Sequence, residues 1–176
     1  MLWKLKTPYT EGHSERVANY AVWLAEELDL SLEEKEKIKK AGFLHDLGKI
    51  GIPDGILHKK GKLTEAEFSR IKEHEILGIK ILEPIKDFQE ILPYILHHHE
   101  NFDGTGYPHG LAGTFIPLGA RIMAVADIFD ALSTGRDYKD AYSLEKSSKM
   151  LQEIKGSKLD PELVDTFLQA LKKRKT

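Results

Sequence analysis

Apolar residues in this chain recur at α-helical spacing, in segments opened by capping residues and cut by short Gly/Pro punctuation, and that pattern commits it to helices. From His13 to Leu28 the positions Val17, Tyr20, Ala21, Leu24 and Leu28 follow one helical face, and Asp29 with Ser31 interrupts it. Ser31 and Glu34 stand at capping-box spacing and predict a second helix toward Leu47, closed by Gly48. Thr64 and Glu67 repeat that spacing before Phe68, Ile71, Ile76, Ile79 and Leu82, with Pro84 as the stop. Asp87 is expected to cap a further helix through Ile91 and Ile95 into the histidine run at 97–99. From Phe102 to Pro117, four glycines and two prolines among sixteen residues predict a structured loop instead. Helix resumes from about Leu118 to Leu132, again after Ser143, and after Asp160-Pro161, where a capping residue precedes proline at the first helical position. No segment alternates as a convincing strand pair would, so the expected fold class is all-α, a helical bundle, and 176 residues suit a single domain spanning 1–176.

The sequence contains no cysteine, so disulfides, thiolate zinc sites and iron–sulfur clusters are excluded, and any metal must be held by nitrogen and oxygen. A hydrophobic share of 41% and a charged share of 31% match a chain that folds rather than a disordered one. The net charge of −2, with signs interspersed, argues against a protein that tracks polymeric nucleic acid. Apolar runs such as Ile122 to Val125 are far below the roughly 20 residues of a membrane-spanning helix. No apolar signal-peptide core follows the start, so a cytoplasmic location is expected.

Histidines and aspartates gather at a few places: His13, the pair His45-Asp46, His74, the run His97-His98-His99, and Asp127 on a late helix. Any one of these histidines taken alone reads best as a partly exposed or hydrogen-bonded residue. Together they read differently. Neighbours on a helix point about 100° apart, so a His-Asp or His-His pair at a helix end can embrace one cavity from two sides. Asp46 sits among Phe43, Leu44 and Leu47, and Asp127 among Ile122, Val125 and Ile128. Carboxylates at such core-facing positions want a cation, although a capping or salt-bridging role is the alternative for each. A metal cluster removes the cost of burying so many polar groups in one bundle.

The segment His45-Asp46-Leu47-Gly48-Lys49-Ile50-Gly51-Ile52-Pro53-Asp54 resembles the HD motif of HD-GYP proteins. The segment His98-His99-Glu100-Asn101-Phe102-Asp103-Gly104-Thr105-Gly106-Tyr107-Pro108 resembles their GYP motif. The likeness extends to Gly12-His13-Ser14-Glu15-Arg16-Val17 and to Ala126-Asp127-Ile128-Phe129-Asp130-Ala131-Leu132, so it takes in nearly the whole chain. This resemblance implies a metal-dependent phosphodiesterase that hydrolyses cyclic di-GMP to the linear dinucleotide or onward to GMP. It implies that His13, His45, Asp46 and Asp127 surround one metal, with Asp46 bridging to a second held by His74, His98 and His99. His97 is then left over, for the surroundings of the site or for the surface. Two ions sharing a hydroxide would bring it toward neutral pKa and polarise the phosphodiester. Lys49 would present a cation to a phosphoryl oxygen, its alternative being a helix-end lysine on the dipole. Tyr107 resembles the tyrosine that stacks on or orients a guanine. Arg136 with Lys139 resembles a phosphate-gripping pair, and Asp130 would support that pair or the water at the metals. A turn-capping Tyr107 and solvated Arg136 and Lys139 are the plainer alternatives.

Two departures qualify the resemblance. Some family members carry an acidic residue one helical turn before the first histidine that helps recruit a third metal; here that position is Tyr9, and Glu11 lies on a different face. Two divalent ions, iron or manganese, are therefore expected, with a third disfavoured. Where family members carry Arg-Pro-Tyr-Lys, this chain reads Arg136-Asp137-Tyr138-Lys139, which puts a negative charge beside a phosphate-binding region. Two alternatives remain open. One is a phosphohydrolase for cyclic GMP-AMP or a nucleoside phosphate; the other is a module that binds nucleotide or a diguanylate cyclase without hydrolysis. The expected partners are a cyclic dinucleotide, and a diguanylate cyclase or a sensory or receiver domain, with a homodimer left open.

Overall fold

A computed structural model describes residues 12–134 and 141–174. Helix α1 (His13–Glu27) is followed by α2 (Leu32–Leu44), a 3-10 turn (Leu47–Gly51), α3 (Asp54–Leu57), α4 (Glu65–Lys72) and α5 (His74–Leu82). A second 3-10 segment (Lys86–Ile91) leads into α6 (Leu92–Leu96), the glycine-rich loop follows, and α7 (Leu118–Ser133), α8 (Leu144–Ile154) and α9 (Pro161–Lys173) complete the chain. Among the described residues there is no strand, only isolated bridges such as Asp103 with Ala112, in keeping with the all-α expectation. Among them, too, no helix is long and apolar enough to cross a membrane.

The capping signals at Ser31, Thr64, Ser143 and Asp160 act where the sequence predicts. Ser31 Oγ accepts from the Glu34 N–H, and Thr64 and Glu67 form the complete reciprocal box. Ser143 caps α8, and Asp160 accepts from the amides of Glu162 and Leu163 ahead of α9. The main core joins Val17, Ala21 and Leu24 of α1 to Ile122, Val125 and Phe129 of α7, Leu151 of α8, and Val164 and Phe167 of α9. Each fully buried side chain of this size contributes about 1.5–3 kcal/mol relative to exposure. Helix α7 also reaches a smaller cluster of Ala41, Leu82, Ile91, Ile95 and Met123, so it runs through the middle of the bundle.

Three helix boundaries and one cap are corrected. The second helix ends at Leu44 rather than near Leu47; the Thr64 helix breaks at Glu73 into α4 and α5; and the helix entering the histidine run stops at Leu96, short of the histidines. Asp87 lies inside a 3-10 segment and caps nothing with its side chain. The three shortened helices share one feature. His45, His74 and His98 each place ring Nδ1 2.6–2.8 Å from the backbone carbonyl three residues earlier, on Gly42, Ile71 and Ile95. The imidazole supplies a donor that the carbonyls of a final turn lack, and each of these bonds falls in the last turn of its helix.

Gly48 brings two of these ends together. A β-carbon on Gly48 would lie 1.8 Å from the His74 carbonyl oxygen and 2.4 Å from the Gly78 amide, so only glycine lets the turn after Asp46 rest on α5.

Candidate metal centre

The capped rings all present the same face. With Nδ1 donating to a carbonyl, Nε2 carries the lone pair, and the Nε2 atoms of His45, His74 and His98 are buried without a hydrogen-bond partner. His13 is held differently, between two carboxylates. Its Nδ1 lies 2.7 Å from Asp130 Oδ2, and its Nε2 lies 3.3 Å from Asp127 Oδ1. Asp130, buried one helical turn beyond Asp127, also accepts from Arg16 at 2.6 and 3.1 Å.

Asp46 lies between two sets of rings. Its Oδ2 is 3.5 Å from His45 Nε2 and 3.7 Å from His13 Nε2, while its Oδ1 is 3.6 Å from His74 Nε2. Ligands held at about 2.0–2.2 Å from a common ion lie roughly 3–3.5 Å apart, so this spacing suits atoms that would share a cation. Lys49 Nζ is 2.6 Å from the same Oδ2. The ring of His99 packs 4.0 Å, centroid to centroid, from that of His98, and the ring of Tyr107 lies 5.1 Å from His99 on the solvent side. A cleft of about 420 Å³ opens there, lined by Phe68, Lys72, His99, Tyr107, Asp127 and Ile128.

Electrostatics follow from this crowding. Burial alone would raise the Asp46 carboxyl, but Lys49, His45, His74 and His13 together hold it well below the carboxylate range. Asp127 is likewise lowered against its burial by the His13 hydrogen bond and the charge of His45. Burial would lower His13, yet its bonds to Asp127 and Asp130 push it up to about 9. Burial dominates elsewhere, pressing His98 far down and His99 to about 4, so both rings stay neutral and able to ligate.

The predicted residues His13, His45, Asp46, His74, His98, His99 and Asp127 are thus brought together, with Lys49 against Asp46 and Tyr107 at the mouth of the cleft. Close-set donor groups include His13 with His45 and Asp127, His45 with Asp46 and His98, and His74 with His98 and His99. The partnerless Nε2 atoms and the all-nitrogen-and-oxygen donor set fit divalent metal ions. Asp130 is turned to His13 and Arg16, a partnership that sequence reasoning missed although Arg16 follows His13 at a spacing of three. Also missed was Glu75, fully buried with both oxygens unpartnered and grouped with His74, His98 and His99; burial and the neighbouring Glu100 raise it to about 9. An adjacent acid and histidine in a helix gave no signal of that burial. Tyr9, Arg136, Asp137 and Lys139 lie outside the described residues.

A family model described as the HD domain matches residues 1–163. The chain belongs to the HD domain family. This agrees with the HD-GYP resemblance carried by its two motifs. HD-domain phosphohydrolases are metal-dependent, in keeping with the His/Asp cluster. The HD domain is 45% identical over 162 residues to the cyclic di-GMP phosphodiesterase response regulator RpfG of Xanthomonas campestris, covering 91% of this chain and 43% of that protein. It is 41% identical over 166 residues to the 3′3′-cGAMP-specific phosphodiesterase 3 of Vibrio cholerae, covering 94% and 36%. The chain therefore spans less than half the length of these curated relatives. In fold it is similar to Bd1817, an HDG"Y"P protein from Bdellovibrio bacteriovorus, with a TM-score of 0.74 at 22% identity over 91% of this chain and 51% of that one. The HD domain of the Listeria monocytogenes phosphodiesterase PgpH gives 0.67 at 18% identity, over 98% and 96%.

Proposed function

We propose that this HD domain is a metal-dependent phosphodiesterase acting on a cyclic dinucleotide, cyclic di-GMP before others. The observation that carries the reading is the set of buried, partnerless Nε2 atoms gathered about Asp46. His13, His45, Asp46 and Asp127 would hold one ion, and His74, His98 and His99 a second, with Asp46 standing between the two sets of rings. Two ions are proposed, iron or manganese, because mixed imidazole and carboxylate sets suit them. When bound, the ions supply an acidified water and polarise the phosphodiester.

The chain's own residues supply the rest. Asp130 holds the His13 ring by Nδ1 and so turns its Nε2 toward Asp127 and Asp46, while the three carbonyls fix the Nδ1–H tautomer of His45, His74 and His98. Lys49, at the edge of the cluster, would meet a phosphoryl oxygen and offset its charge as the P–O bond to ribose breaks and water oxygen bonds to phosphorus. The proton from water ends on the departing ribose oxygen. Burial and the charge of Glu75 push the Tyr107 phenol up, so it stays protonated and able to donate to a base edge while its ring faces the cleft. Arg136 and Lys139 are assigned to phosphate on the sequence resemblance alone.

The relatives named for cyclic di-GMP and for 3′3′-cGAMP leave two closely related substrates to be separated. The full chain, loaded anaerobically with manganese or iron, would be assayed against cyclic di-GMP, 3′3′-cGAMP and mononucleotides with chromatography of the products. Faster turnover of cyclic di-GMP to linear dinucleotide or GMP is expected. Faster turnover of 3′3′-cGAMP would reassign the substrate, and preference for mononucleotides, or binding without hydrolysis, would overturn the proposal.

A further inference from the structure

The first histidine of the run at 97–99 stands outside the buried cluster. His97 directly follows α6, and its Nδ1 lies 2.9 Å from the Pro93 carbonyl, so the ring N–H is used there and Nε2 keeps its lone pair. That Nε2 lies 3.0 Å from Nδ1 of His109, in the glycine-rich loop. Two nitrogens held at ~2.0–2.1 Å from one zinc ion at a tetrahedral angle lie about 3.3 Å apart, close to this separation. The Glu100 carboxylate completes the group, with one oxygen within 4.8 Å of a ring nitrogen of each histidine. Glu100 is buried, and its two oxygens accept the loop amides of His109 at 2.7 Å and Leu111 at 3.2 Å. A carboxylate offers about four lone pairs, so two such bonds leave it able to ligate.

We infer that His97, His109 and Glu100 form a separate metal site at the protein surface, one that takes a borderline transition-metal ion such as Zn²⁺. Three nitrogen and oxygen donors with His109 exposed make an open site, unlike the enclosed cluster behind it. The carbonyl-fixed tautomer of His97 is the same device that prepares His45, His74 and His98. An ion here would tie the loop carrying Tyr107, two residues before His109, to the end of α6, next to His98 and His99. Zinc thereby acts on the wall of the cleft without entering it.

The test uses the full chain, stripped with chelator, dialysed against Zn²⁺ and submitted to elemental analysis beside His97→Ala and His109→Ala. Each variant is expected to hold one zinc ion fewer than the wild type, and crystals of the wild type to show a zinc-edge anomalous peak between the two rings. Zinc is also expected to slow amide exchange across residues 103–115 in the wild type and not in His109→Ala. Equal zinc content in all three proteins would overturn the site and leave the contact as a hydrogen bond between imidazoles. Unchanged exchange despite binding would overturn the clamp. An Asp46→Ala variant, impaired in the buried cluster, is expected to keep the surface ion, so failure of this site and failure of the proposed catalytic centre are read separately.

Discussion

His13 on α1 and Asp130 on α7 are joined by a 2.7 Å contact between Nδ1 and Oδ2, across 117 residues of sequence. Asp130 is 2% exposed and takes Arg16 as well, so its charge is compensated and its position held from two sides. A carboxylate behind a histidine orients the ring and raises its basicity toward a metal. Asp130→Asn is expected to weaken binding of the ion at His13 by about 10–100-fold, the usual cost of losing such a partner. Metal titration followed by elemental analysis checks this. Wild-type affinity in the variant would refute the positioning role of Asp130.

Asp46 is the side chain whose two oxygens face different ring sets. Its replacement by Ala should remove the shared ligand and leave three buried imidazole nitrogens with nothing between them. Loss of both ions and turnover reduced to background are expected. Lys49→Ala, by contrast, should leave the metal content near that of the wild type and lower kcat, because its proposed partner is the substrate phosphoryl group. Two retained ions in Asp46→Ala would refute the bridge.

Gly48 can be tested through stability. The β-carbon of Gly48→Ala would overlap the His74 carbonyl, so the turn must move off α5, at about 1–3 kcal/mol for an overpacked contact. A lower denaturant midpoint is expected, together with weakened metal binding, because the same displacement separates Asp46 from His74. Gly61→Ala is a poor control, since its φ of 118° strains any side chain; Gly55→Ala, with open space around its β-carbon, is the better one.

The metal-free protein should be pH-sensitive on the alkaline side. Glu75 is raised to about 9 by burial and by Glu100, and His13 to about 9 by its two carboxylates against its burial. For both groups the folded pKa lies above the unfolded one, so the folded state binds more protons. Their contribution is fully present below the unfolded values, near 4.5 for Glu75 and 6.5 for His13, and is lost as pH rises toward 9. Chelator-treated protein is expected to unfold at lower denaturant at pH 9 than at pH 6.5, with a shallower decline in Glu75→Gln. Metal binding at pH 8 should also release a proton from His13, measurable as a buffer-dependent calorimetric heat. Equal pH slopes in wild type and Glu75→Gln would refute the assignment for Glu75.

Much of this was legible in one dimension. The helical period, the capping residues Ser31, Thr64, Ser143 and Asp160, the irregular loop after Phe102 and the donor types themselves are local properties, set by side-chain chemistry and spacing. The donor-bearing positions His45, Asp46, His98 and His99 were legible because the two motifs are long and contiguous. Helix ends were not, because the histidines that bond the last-turn carbonyls of α2, α4 and α6 act on groups already inside the pattern, and period alone does not register a side chain turning back on its own backbone.

Tertiary structure decided what required distance. The pairing of Asp130 with His13, the burial of Glu75 and the meeting of His97 with His109 depend on which helices pack and how closely, and no local spacing encodes that. Sequence by itself determined a helical HD domain with nitrogen and oxygen donors in fixed order. The packing of α1 on α7, and of the Gly48 turn on α5, turned that order into a centre, because burying the apolar faces leaves the donor-bearing ends pointing at one another.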